Sequence, residues 1–562
     1  MKKLLFALIF VGATYLTSLA CSNIMVTRGA SKTGSTMVSY TADSHCLYGA
    51  LYYLAAADHA PGAMRVVREW DTGTILGEIP EIAHTYSVVG NMNEHQLVIG
   101  ESTWGGRSEL HDSTGIIDYG SMMYIALQRA KTARQAVEVM TSLVEEFGYY
   151  SSGESISIAD GNEVWYLEII GKGTKMEKNR KTKEMENVNK GAAWVALRVP
   201  DGMISAHANQ ARITTFPQDD PENCLYAEGM IDFARQMGYF EGEDKDFSFA
   251  DAFNPLEFGG MRFCEARVWS AFRRAVNDGS MDKYEDYAMG YNPENRMPLW
   301  IKPSEKLSVA DVADLMRDHY EGTKMDMTKD AGAGQFELPY RPSPLSWEYE
   351  GKTYVNERPL STRQTGWWYV GESRSWLPDV VGGVFWFGVD DTATSPLTPY
   401  YASSTRIANS LKEGNGSMME YSSTSMFWIQ NRVSNFAYTR YRDIFKDIKR
   451  AMNVWEDARY AEQSLIDEIA LNLYESDPAA AVQYLTDYSV NTAQSLFQMW
   501  QDLDGHLFVK YHDFNIKKED APGVFTDNGQ NYNIPAFPTQ PDFTDEWKRQ
   551  VVETNGDVLL MQ

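Results

Sequence analysis

The chain has 562 residues, 43% hydrophobic and 13% aromatic, enough to bury a sizeable core and longer than one domain usually needs. Its 51 Lys and Arg stand against 77 Asp and Glu, and the resulting charge of −26 argues against nucleic acid and anionic membrane as partners. Four cysteines exclude a disulfide scaffold, and no stretch after Cys21 approaches the ~18 apolar residues of a membrane span.

The first twenty residues read as a secretory signal peptide. Lys2 and Lys3 form a basic start, Leu4 to Leu16 an apolar run, and Thr17-Ser18-Leu19-Ala20 a small-residue close. Cleavage after Ala20 gives an exported protein, periplasmic or secreted, that begins Cys21-Ser22-Asn23. One residue then carries a thiol titrating near ~8.5 and an α-amine near ~7.7–8. The amine is partly neutral at working pH, so it can take the thiol proton and later return one to a leaving group. The chain has nine His, but no Cys/His arrangement asks to be a thiol-protease pair. The competing reading is a lipoprotein, whose lipidated and acylated cysteine would lose both reactive groups. Against it, Ser18 stands where such a signal wants a Leu-like residue.

Ser22 to Arg28 and Ser35 to Tyr40 read as two strands of a hairpin, ended by Thr41-Ala42-Asp43. Asp43 would then lie beside Cys21, either holding its ammonium or simply capping a turn. His84 to Gly90 and Leu97 to Ser102 form another strand–turn–strand, followed by Thr103-Trp104-Gly105-Gly106. Ser121 to Gln128 and Thr132 to Phe147 have helical spacing of apolar residues. Ser155 to Asp160 and Glu163 to Ile169 make a hairpin around Gly161-Asn162. Gly171 to Lys190 is an exposed hairpin tip or loop, and Ala193 to Leu197 and Met203 to Ala206 are strands.

Asn209 follows at a strand end, where its amide can serve a developing oxyanion or an ordinary turn. Phe263 to Val276 reads as a helix with Arg267 beside its apolar stripe, a placement that calls for a buried partner. Ser308 caps a helix reaching Tyr320, and Lys324 to Leu345 is a Gly/Pro-bearing loop. Gly366 to Asp391 is strand-rich. Asn431 to Tyr474 and Pro478 to Leu503 are helical, and the end of the chain is polar. Strands in hairpins with helix pairs between and after them suit a helix–sheet–sheet–helix layering.

Several of these residues occur in the order of one family. Cys21 after a signal, Gly34-Ser35 then Asp43, Asn93-Glu94-His95 followed by Val98-Ile99-Gly100-Glu101, Gly153 to Asp160 with Trp165, Asn209, and Glu265-Ala266-Arg267 together resemble the dipeptidase A family of N-terminal-nucleophile cysteine peptidases. Secernins belong there too, and bile salt hydrolases and penicillin V acylases are more distant relatives. The resemblance spans Cys21 to Tyr401. It implies an α+β fold, the four-layer αββα sandwich of N-terminal-nucleophile hydrolases, extended here by a C-terminal helical region. The expected division is 1–20 signal peptide, 21–401 hydrolase domain, 402–515 helical region and 516–562 polar tail.

Carried over by residue, the resemblance makes Cys21 the nucleophile and, through its amine, the base. Asp43 holds that amine, Asn209 is the oxyanion donor, and Arg267 stabilises the thiolate or the substrate carboxylate. Thr103 falls near the register of a further oxyanion donor. Tyr40 stands three residues before Asp43, where relatives usually carry Arg or Lys. Tyr40 is therefore a substrate-side hydrogen-bond donor that brings no positive charge.

The expected function is an exported cysteine-type dipeptidase acting on short peptides through a thioester, without metal or cofactor. Two alternatives stay open: an acylase cutting an N-acyl amide, and a lipidated surface binding protein without activity.

Overall fold

The computed structural model describes residues 21–561 apart from 343 and 531, so the expected signal peptide lies outside the described residues. Two antiparallel sheets organise the chain. The first has seven strands, in the order Trp300–Ile301, Ile204–His207, Ser22–Val26, Thr36–Asp43, Thr365–Ser373, Gly383–Val389, Thr398–Tyr401. The second has eight, in the order Cys224–Tyr226, Ala192–Arg198, Val164–Gly171, Gly153–Ala159, Val98–Gly105, Met92–Asn93, Val88–Val89, Tyr53–Leu54.

Both central regions are buried on each face, so their strands read as near-continuous apolar runs rather than alternations. On Ser22–Val26 and Thr36–Asp43 the two-residue period still sorts the side chains. Met25, Val38, Tyr40 and Ala42 turn toward the second sheet. Ile24, Val26 and Met37 turn toward the helices Ala266–Val276 and Val309–Met316 on the outer face. The second sheet is covered on its far side by Tyr119–Arg129 and Ala133–Phe147.

Polar bonds stitch the two sheets together. Tyr369 Oη donates to Ile99 O at 2.5 Å, Asn23 Nδ2 to Glu101 O at 2.5 Å, and Thr36 Oγ1 to Asp160 O at 2.5 Å. Gly100 makes this approach possible: a Cβ there would lie 2.4 Å from Asn23 Oδ1 and 2.9 Å from Tyr369 Oη.

Some elements differ from expectation. Thr36–Asp43 runs through Thr41-Ala42-Asp43 instead of stopping before it, with a register shift between Ala42 and Asp43. The helix expected from Phe263 begins as a π-turn, Gly260–Glu265, before Ala266–Val276. The Ser308 cap is a full capping box with Asp311, but the helix ends at Met316, short of the left-handed Tyr320. A hairpin of Met64–Arg68 and Ile75–Pro80 had no counterpart in the sequence pattern, because few of its side chains reach the core. The polar end of the chain carries the helix Asp545–Asn555, which buries none of its residues.

The expected helical stretch Asn431 to Tyr474 is two helices, Met426–Thr439 and Tyr441–Ser476, broken at Arg440, and the next helix, Pro478–Tyr511, runs past the expected Leu503. They pack on the Thr398–Tyr401 edge of the first sheet, and ion pairs tie them to the end of the Val309–Met316 helix and to the residue after the Thr365–Ser373 strand. Arg317 grips Glu456 at 2.6 and 3.0 Å, and Arg374 meets Asp467 at 2.5 and 3.2 Å. All four cysteines are unpaired. Among the described residues no helix is long and apolar enough to cross a membrane.

Candidate active site

Cys21 stands immediately before the Ser22–Val26 strand, 4% exposed, in the layer between the sheets. Its thiol lies 3.5 Å from Tyr40 Oη and donates to Glu101 Oε1 at 3.4 Å. Tyr40 Oη donates to the same carboxylate oxygen at 2.6 Å. Burial, then the neighbouring Glu101 and Asp43 carboxyls, push the thiol well above its ordinary range. A thiol in these surroundings needs a base to become a nucleophile.

Among the described residues no histidine hydrogen-bonds to the Cys21 thiol, whose partners are Tyr40 and Glu101. The fully buried His207 is held between Ser102 Oγ at 2.6 Å and Ser157 Oγ at 2.7 Å, and it stacks on Tyr166. Burial and the charges of Arg212 and Arg267 keep it neutral.

Asp43 lies one hydroxyl away from the start of the chain's first strand. Ser22 N–H donates to Thr41 Oγ1 at 3.1 Å, and Thr41 donates on to Asp43 Oδ2 at 3.0 Å. Thr365 Oγ1 donates to Asp43 Oδ1 at 2.7 Å, and Arg358 Nη2 approaches Oδ2 at 3.4 Å. Burial raises the Asp43 carboxyl, against the pull of Arg358 and Thr365.

Arg267, fully buried, spends its donors on protein. Nη1 donates to Cys21 O at 2.9 Å and Ser22 Oγ at 2.7 Å. Nη2 donates to Ala208 O at 3.0 Å and Asn209 Oδ1 at 2.8 Å, and Nε to Phe263 O at 2.8 Å. All five guanidinium N–H groups are engaged, which leaves none for a substrate carboxylate. That half of the expectation for Arg267 is corrected: it positions Cys21 and Asn209.

Asn209 adopts a left-handed φ of 64°, a conformation Asn tolerates better than most residues. Because Arg267 donates to Oδ1, the amide is oriented with Nδ2 toward the Thr103 carbonyl. Its turn is pinned from both sides. Asn209 N–H donates to Ser102 Oγ at 3.2 Å, and the N–H groups of Arg212 and Ile213 donate to the Glu168 carboxylate at 2.6 and 3.1 Å. Arg212 pairs with Glu265 at 2.9 Å, so Glu265 and Arg267, two residues apart, hold both ends of this turn.

The structure therefore brings Cys21, Tyr40, Asp43, Asn209 and Arg267 together, with Thr103 at the edge. The Thr103 hydroxyl donates to Glu154 Oε1 at 2.8 Å, and its carbonyl accepts from Asn209. Sequence reasoning missed three participants. Glu101 and Glu154 face each other across neighbouring strands. Burial raises Glu101 to about 7 and, together with Glu101, lifts Glu154 well above the carboxylate range. Arg358, 3% exposed, brings into range of Asp43 and Cys21 the positive charge that Tyr40 lacks. Burial and the nearby Arg267 lower it to about 10. It arrives from an irregular stretch with no local signal. Among the described residues no three His, Cys, Asp or Glu are grouped as a metal would require.

A cysteine at the head of a strand, a gripped carbonyl and an oriented asparagine amide are the parts of a thiol acyl-transfer site. The model of peptidase family C69 matches residues 20–453, and the chain belongs to this peptidase family, with the dipeptidase A relationship its motifs suggested. The match runs past Tyr401 into the Tyr441–Ser476 helix. A probable dipeptidase of Latilactobacillus sakei is 24% identical over 505 residues, 85% of this chain and 94% of that one. A probable dipeptidase B of Lactococcus lactis subsp. lactis is 23% identical over 69% of this chain and 71% of its own length. Dipeptidase A of Lactobacillus helveticus is 21% identical over 72% and 75%.

Proposed function

We propose that this peptidase is an exported dipeptidase whose mature chain begins at Cys21. The observation that carries the reading is the convergence of the Cys21 thiol, the Asp43 carboxylate and the Asn209 amide, with no histidine among the described residues hydrogen-bonded to the thiol. A thiol raised by burial needs a base, and removal of Met1 to Ala20 creates one on the same residue. The two central sheets with helices on both outer faces are read as the αββα sandwich of N-terminal-nucleophile hydrolases. Residues 21–401 form its catalytic unit, 402–515 an added helical region and 516–562 a polar tail.

The Cys21 α-amine, held by Asp43, takes the thiol proton, and the sulfur attacks the scissile carbonyl. The oxyanion is met by Asn209 Nδ2 and a backbone N–H. The tetrahedral adduct collapses to a thioester, and the departing amine takes the proton from the Cys21 ammonium. Water, deprotonated by the same amine, hydrolyses the thioester and releases the first amino acid. Arg267 fixes the Cys21 carbonyl and the Asn209 amide throughout, and Arg358 offsets the negative charge of Asp43.

The test is the mass of the N-terminal peptide of the exported protein, followed by a dipeptide panel on that material. An unmodified Cys21 terminus with dipeptide hydrolysis lost in Cys21→Ala is expected. A diacylglyceryl, N-acylated Cys21 would replace this reading with that of an anchored binding protein. Cleavage of glycine or taurine conjugates in place of dipeptides would make it an acylase.

A further inference from the structure

Glu101 and Glu154 are each 1% exposed, and among the described residues neither forms an ion pair. Tyr40 and Cys21 donate to Glu101 Oε1, and Thr103 to Glu154 Oε1. The other two oxygens, Glu101 Oε2 and Glu154 Oε2, are buried without a fixed donor, and the two carboxyls lie within hydrogen-bond reach of each other, so a proton on one can serve both. A third carboxylate, Asp71 on the exposed turn of the Met64–Pro80 hairpin, is close enough to raise both. Buried carboxyls without a cation are costly, and their persistence beside a nucleophile points to a cation that arrives with the substrate.

The distances fit one group on a dipeptide. The α-nitrogen of the first residue lies about 2.5 Å from its own carbonyl carbon, since only Cα separates them. The attacking sulfur stands about 3–3.5 Å from that carbon before reaction. Glu101 Oε1 is 3.4 Å from Cys21 Sγ, so the carboxylate is within reach of the α-ammonium of a substrate poised for attack.

We propose that Glu101, backed by Glu154, receives the free α-ammonium of the substrate and restricts the enzyme to peptides with an unblocked N-terminus. This inference rests on the dipeptidase reading and adds its specificity determinant. Burial and the neighbouring Glu101 charge favour the protonated form of Glu154. Glu101, ionised above about pH 7, accepts the ammonium, whose charge then holds it ionised at lower pH. An N-acylated peptide would leave the carboxylate buried against an amide and without a cation.

The experiment compares a dipeptide with its N-acetyl derivative on the processed wild type, Glu101→Gln and Glu154→Gln, with melting curves as the folding control. The wild type is expected to favour the free dipeptide about 100-fold or more in kcat/KM. Glu101→Gln is expected to lose most of that ratio, chiefly through a raised KM for the free dipeptide. Glu154→Gln keeps the carboxylate at Glu101 and is expected to keep most of the preference. Equal cleavage of both substrates by the wild type overturns the inference and leaves the dipeptidase reading standing. Equal losses on both substrates in Glu101→Gln also overturn it, because they make Glu101 a support of Cys21 itself. A processed wild type that cleaves neither substrate overturns both readings.

Discussion

The guanidinium of Arg267 holds Cys21 by its main-chain carbonyl, at 2.9 Å, and makes no hydrogen bond to the thiol. The same group orients the Asn209 amide at 2.8 Å. One side chain thus fixes the relative position of Cys21 and the Asn209 amide from behind the sheet.

Arg267→Lys keeps the charge and loses the fork, so several of the five acceptors are left without a donor in a dry site. Dipeptide hydrolysis is expected to fall by about 100-fold or more through misplacement of Cys21 and Asn209. Stability is expected to fall by about 2–4 kcal/mol. Denaturant melts and kcat of the purified variant measure the two effects.

Glu101 carries a stability penalty that depends on pH. Its folded-state value of about 7 lies above the ordinary 4.5. Between those values the unfolded chain gives up its proton first, so stability falls as pH rises through that window. Glu101→Gln removes the penalty. The variant should be more stable than wild type at pH 8 by about 1–3 kcal/mol and nearly equal to it at pH 5. Melts at the two pH values check the sign.

Tyr40 donates to Glu101 at 2.6 Å and thereby favours its ionised form. Tyr40→Phe removes that bond and raises Glu101 further. The acid limb of the kcat/KM profile for a dipeptide should move up by about one pH unit. A limb that stays in place would separate it from Glu101.

The C-terminal helices are joined to the sheet by charge as well as by packing. Asp467 meets Arg374 and accepts from Tyr401 Oη at 2.7 Å, all three groups buried. Asp467→Ala strands the Arg374 charge and should cost about 3–5 kcal/mol, whereas Arg374→Met with Asp467→Leu should cost far less. Urea unfolding of the two variants distinguishes a stranded charge from lost packing.

The sheets were legible in the sequence where the pattern was local. Ser22 to Tyr40 and Ser155 to Ile169 announce their hairpins by β-branched runs around Gly-bearing turns. Boundaries shifted where tertiary contacts extend an element, as at Thr41 to Asp43, which pair with the distant Thr365–Ser373 strand. Cys21, Asp43, Asn209 and Arg267 could be singled out because each sits at a strand end or beside an apolar stripe, in a family order. Arg358 could not, since its role depends on a loop folding back across more than three hundred residues. Glu154 stood just before the expected Ser155 to Asp160 strand, and only its burial beside Glu101 gives it meaning.

The central claim is that Cys21, as the first residue of the mature chain, carries the acyl group of the substrate. It is tested most directly by mixing processed protein with a dipeptide, quenching in acid during turnover, and measuring the mass of the N-terminal peptide. The account predicts a fraction heavier by one aminoacyl residue, attached at Cys21, labile to hydroxylamine and absent from Cys21→Ala. Dipeptide hydrolysis by Cys21→Ala at the wild-type rate would contradict it.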